Sequence, residues 1–134
     1  MTEMEKEKLN RKIGEWAGFV KGKGIYTFKE CCKVIRTNDW WITPEKYGCK
    51  GAYQHLPHFL NSFDAHISWT IPKLHKLGYY CHFESKDSGN PNNTYAAIYQ
   101  PIGFMVATWE SETLSEALSL SLEKLINSEV KSKG

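Results

Sequence analysis

The back half of this chain carries short runs that are apolar on both sides of a pleat, and nothing else in the sequence restricts the fold as much. Residues 94–99 alternate Ala96 and Ile98 with Tyr95, Ala97 and Tyr99. Residues 103–109 alternate Met105, Ala107 and Trp109 with Phe104 and Val106. Ahead of them, residues 79–84 set Tyr79, Cys81 and Phe83 against Tyr80, His82 and Glu84. A sheet with one wet face shows polar residues at alternate positions. Their scarcity predicts helices over both faces. Turn formers fill residues 86–93, and Gln100-Pro101-Ile102 joins the next pair, so the strands form an antiparallel meander. The expected fold class is α+β, a three-layer α/β/α sandwich around a small antiparallel sheet.

The helices follow from spacing. Leu9, Ile13, Trp16 and Ala17 make one stripe in a helix over 3–17, with Glu3, Glu5 and Glu7 where the helix dipole favours acid. A second helix is predicted over 61–77. Asn61 or Ser62 caps it, Asp64 sits in its first turn, and Phe63, Ile67, Ile71 and Leu74 form its buried stripe. Pro72 lies inside it and predicts a kink near Ser68–Trp69. Gly78 stops it. The last helix spans 114–129. Thr113 and Glu116 fit a capping box, and Leu114, Ala117, Leu118, Ser121, Leu122 and Leu125 form the core stripe. Residues 19–58 have aromatics without period and read as an irregular excursion over a single domain, 1–134. The length of 134 residues suits one domain.

Composition narrows the function. There are 17 basic and 15 acidic residues, net +2, and the only arginines are Arg11 and Arg36. Arginine is the usual bidentate reader of phosphates and guanines, so no sequence-specific DNA binding is expected. No run reaches the ~18 consecutive apolar residues of a membrane span, and Met1–Lys6 shows no charged-then-apolar leader. Both point to the cytoplasm, where Cys31, Cys32, Cys49 and Cys81 stay reduced. Cys49, His55 and His58 match no common ligand spacing, so neither metal nor cofactor is expected. Phosphate-loop, zinc-protease and nucleophile-elbow motifs are missing. The segment Gly18–Gly24 holds two lysines among its glycines but follows a helix, and reads as a turn.

Trp40-Trp41 is the anomaly. In extended chain one indole points in and one out. An outward indole is a stacking surface, and exposed aromatics dominate binding hot spots. Arg36, Lys33 and Lys50 lie nearby in sequence to hold phosphate or carboxylate. The candidate ligand-binding set is therefore Arg36, Trp40, Trp41, Lys50, Tyr53 and His55. An alternative set, His55, His58 and Asp64, has the residue types of general acid–base chemistry.

Leu56-Pro57-His58-Phe59, Asp64, Trp69, residues 74–78 with Tyr79, and Glu112-Thr113-Leu114-Ser115-Glu116-Ala117 carry a resemblance. They are similar to the phage ABA sandwich domain family, as is Ile13–Gly18 to that family's opening helix; residues 21–54 are not covered. The resemblance implies a bacteriophage or prophage origin and a three-layer α/β/α fold, and it brings no catalytic motif. With the small size, it gives the expected function. This is a non-catalytic phage-encoded binding protein in the host cytoplasm, serving counter-defence or host takeover. It would sequester a small anionic, nucleotide-like ligand, alone or between subunits of a homo-oligomer, or occupy a host defence protein. The alternative is a small hydrolase or nuclease using His55, His58 and Asp64.

Overall fold

The computed structural model describes residues 1–85, 94–100 and 105–133. The expected loop over 86–93 and the strand start at 103–104 lie outside the described residues. The chain is α+β. Helix α1 (Glu3–Ala17) leads into strands β1 (Val20–Lys21), β2 (Tyr26–Glu30), β3 (Lys33–Thr37), β4 (Trp41–Ile42) and β5 (Ala52–Tyr53). A helical run follows: α2 (Phe63–Ala65), a π-helical turn (His66–Thr70) and α3 (Ile71–Lys76). Strands β6 (Tyr80–Ser85), β7 (Thr94–Tyr99) and β8 (Met105–Ser111) precede helix α4 (Leu114–Lys133).

Helix α1 starts on a full capping box: the Thr2 hydroxyl accepts from the Glu5 N–H while the Glu5 carboxylate accepts from the Thr2 N–H. It ends at Gly18, whose φ of 109° suits a residue without Cβ. In the C-terminal meander β7 pairs with both β6 and β8, with a bulge at Ile98/Tyr99. Thr113 caps α4 by accepting from the Glu116 N–H at 3.2 Å.

Residues 19–58 are not irregular. β1, β4 and β5 form a three-stranded antiparallel sheet, and β2–β3 form a separate hairpin. Trp41 sits on the middle strand of that sheet, 7% exposed, in the main core. Arg11 and Lys21 lie over its ring at 5.6 and 4.9 Å. Trp40 turns the other way and fastens the hairpin base. Its indole N–H donates to the Gly24 carbonyl at 3.0 Å, its ring packs 4.8 Å from Tyr26, and Gly22 lies flat beneath it. A Cβ on Gly22 would stand 2.2 Å from the indole. Gly22→Ala should therefore cost about 1–3 kcal/mol by overpacking, read as a lower urea midpoint. An unchanged midpoint would show that the ring yields.

The three-layer arrangement expected from the sequence is not confirmed among the described residues. α4 packs on β7 and β8, α3 on β6, and α1 packs in turn on α4 and the π turn. α4 thus lies between the β7–β8 strands and α1. α4 is the middle layer, so its residues Ala117–Leu122 are buried all round. Its serines let neighbours approach closely. The Ser121 hydroxyl donates to the Ala96 carbonyl at 3.1 Å, and the Ser115 hydroxyl to the Leu60 carbonyl at 2.9 Å. The opposite sheet face carries Tyr80, Tyr95, Tyr99 and Met105. Tyr80 and Tyr99 stack at 5.3 Å, and Tyr80 and Met105 are 43% and 51% exposed. Tyr95 and Tyr99 are half-buried and Ala97 between them is fully buried, so the tyrosine rings cover the centre of this face and leave their polar tips at its edge.

In the second helix Phe63, Ile71 and Leu74 of the expected stripe pack on the core, Ile67 is 52% exposed, and His66 and Thr70 are buried beside them. His66 fits inside because its ring is satisfied. Nε2 lies 2.8 Å from the Phe59 carbonyl and 3.0 Å from Ser119 Oγ, and Nδ1 lies 2.7 Å from Thr70 Oγ1. A carbonyl only accepts, so Nε2 carries the proton and Nδ1 accepts from Thr70. No helix among the described residues is long and apolar enough to cross a membrane.

Candidate functional site

Pro72 is where sequence, backbone and site meet. It sits in the first turn of α3, where a missing N–H is tolerated. It has no N–H to offer the Ser68 carbonyl four residues back. The chain responds with a π turn, in which the Ile71 N–H reaches the His66 carbonyl. Such turns recur at functional sites. The Ser68 carbonyl accepts instead from Lys46 Nζ at 3.3 Å.

Lys46 arrives on a tight turn. Its N–H and carbonyl exchange hydrogen bonds with Cys49 at 2.8 and 3.0 Å. The two residues between, Tyr47 and Gly48, have φ of 55° and 78°, the left-handed pair of a type I′ connection. Tyr47 is nearly wholly exposed, its ring 5.9 Å from the Lys46 ammonium. On the other side the same ammonium lies 4.9 Å over Trp69.

Between this turn and the π turn with α3 lies a cleft of about 290 Å³. Pro44, Trp69 and Pro72 give it apolar walls, and Glu45, Lys46, Lys73 and Lys76 line the rest. Lys73 is anchored: it lies 4.5 Å over the Trp16 ring and donates to the Trp16 carbonyl. Among the described residues no carboxylate is within ion-pair distance of Lys46 or Lys76. The cleft offers positive charge beside an indole face. It has no nucleophile paired with a base.

The residues singled out from sequence fall in three places. Arg36 is exposed on β3, in register with Thr27 of the projecting hairpin. Lys50 is exposed in the loop before β5. Trp40 and Trp41 serve the packing described above. Tyr53 pairs with Trp41 across β5 and β4, its ring 6.2 Å from both Phe19 and Trp69. His55 is exposed and lines two shallow depressions. One, about 370 Å³, has Asp39, Trp41 and His58. The other, about 390 Å³, has Tyr53, His58, Ser62, Asp64 and Trp69. The structure thus gathers His55, His58 and Asp64 in one depression, though no hydrogen bond joins them. Among the described residues no three His, Cys, Asp or Glu side chains converge as a metal site requires.

Lys46, Trp69, Lys73 and Lys76 were not among the sequence candidates. The available signal was Pro72 within a helical pattern, flanked by Trp69 and by lysines at positions 73 and 76. No protein-family model, curated protein or solved structure matches the chain, so the likeness to the phage family rests on the quoted residues alone.

Proposed function

We propose that this chain is a non-catalytic binding protein that holds a small anion with a flat apolar body, such as a nucleotide, in the cleft between Lys46 and α3. One observation carries the reading: Lys46 and Lys76, neither within ion-pair distance of a carboxylate among the described residues, line the cleft beside the indole of Trp69. The flat part of the ligand lies on Trp69, and its phosphate or carboxylate meets Lys46 and Lys76. A phage origin, with sequestration of such a ligand in host counter-defence, rests on the family resemblance. Sequestration needs affinity alone, and the cleft holds no catalytic pair.

Calorimetry against cyclic and linear nucleotides, with inorganic phosphate as the plain-anion control, tests it. A nucleotide should bind, and Lys76→Gln, at an exposed position, should weaken it about tenfold, the ~1.4 kcal/mol of one charged contact. Silence with every ligand, or affinity indifferent to Lys76→Gln and Lys46→Gln, would contradict the assignment.

A second reading is favoured by one observation only, the meeting of His55, His58 and Asp64 in the Tyr53 depression. It makes that depression a hydrolytic site. Turnover unchanged in His58→Ala and Asp64→Ala would remove it.

A further inference from the structure

The β2–β3 hairpin ends in a two-residue connection made entirely of cysteine. Glu30 and Lys33 are the last paired positions, and Cys31-Cys32 is the link, both thiols free and exposed. The pair is not explained by turn chemistry. Two-residue hairpin links favour Asn-Gly or glycine at left-handed φ; here neither residue has positive φ. It is not explained by packing, because both residues are exposed and the hairpin makes no substantial contact with another strand or helix. A disulfide within the pair is disfavoured as well. Adjacent Cα atoms are about 3.8 Å apart, whereas disulfides usually span roughly 4.4–6.8 Å.

A bridging atom relieves that geometry, because two bonds to a metal hold the sulfurs farther apart than one S–S bond. Ligand number then selects the ion. Zinc asks for four ligands, and no third His, Cys, Asp or Glu joins the pair among the described residues. Soft thiolates without further donors suit a soft ion content with two ligands. We propose that the hairpin tip is a two-thiolate site for a soft monovalent d10 cation, Cu(I) as the type. Binding forms two Cu–S bonds, breaks two S–H bonds and releases two protons, with no change of oxidation state.

Two probes on the full chain test this. Phenylarsine oxide reports whether both sulfurs reach one centre: two As–S bonds form, the thiol protons leave with the arsenical oxygen as one water, and the mass rises accordingly. Cu(I) supplied as its bicinchoninate complex reports uptake of the ion. Both should load one per chain, resist excess glutathione, and be lost in Cys31→Ser and in Cys32→Ser but not in Cys49→Ser. Thermal unfolding of these surface variants should match the parent, showing that lost binding is not lost folding. Loading that survives Cys31→Ser, or that a monothiol strips, overturns the site. Arsenical without copper uptake overturns the ion assignment.

Discussion

Trp41→Ala should lower the stability of the chain by about 3–5 kcal/mol, the usual cost of truncating a fully packed tryptophan. The indole lies on the central strand of the β1–β4–β5 sheet, within the main core, beneath Arg11 and Lys21. No neighbour can collapse into its volume without breaking that sheet, whose strands are only two residues long. A small domain holds about 5–15 kcal/mol in total, so the loss brings it near unfolding. Trp40→Ala should cost clearly less, because its ring is half-buried and secures only the base of a hairpin that stands apart. Urea unfolding of both variants separates the roles. Equal costs, or the larger at Trp40, would contradict this division between core and hairpin.

Acidification should remove about 3 kcal/mol between pH 6.5 and pH 4. Burial among Phe59, Thr70 and Ser119 pushes the His66 pKa down from 6.5 to about 4, against the smaller opposing effect of the Phe59 and Ser115 backbone. Above pH 6.5 neither the folded nor the unfolded chain holds a proton there, and the full stability is present. As the pH falls below 6.5 the unfolded chain takes up the proton while the folded chain still refuses it. Stability therefore falls until pH 4, where the folded ring titrates as well and the loss levels off. Each unit between those values costs about 1.4 kcal/mol. Stability that stays flat from pH 6.5 to 5 would show that His66 is not held neutral by burial.

The periodic parts of the fold were legible in the sequence because their signals are local. The stripe of α1, the Thr113 cap of α4 and the alternation of β6–β8 each lie within one element. β1, β4 and β5 were not legible, since two residues carry no period and their pairing joins positions far apart in sequence. The layering was not legible, because tyrosines such as those at 80, 95 and 99 suit a covered face and a half-wet one alike. On the second helix the expected stripe holds at Phe63, Ile71 and Leu74 and fails at Ile67, and His66 and Thr70 join the buried face because they satisfy each other inside.

The site was legible only as a defect. Pro72 announced a kink near Ser68–Trp69, and the kink became the π turn that forms one wall of the cleft. Lys46 could not be assigned there, because Tyr47-Gly48 does not look like the Asn-Gly pair that usually marks a type I′ turn. Arg36 and Lys50 lie near the indoles along the chain, and the structure puts Arg36 on β3 of the hairpin and Lys50 in the loop before β5.

The most direct test is an amide and indole NMR titration of the whole chain with the nucleotide that gives heat. Of the five indole N–H signals, Trp69 should move most, with the amides of residues 44–47 and 68–76, while Trp41 and Trp109 stay still. Movement centred on His55, His58 and Asp64, or spread evenly over the surface, would mean that the lysine cleft is not where this protein holds its ligand.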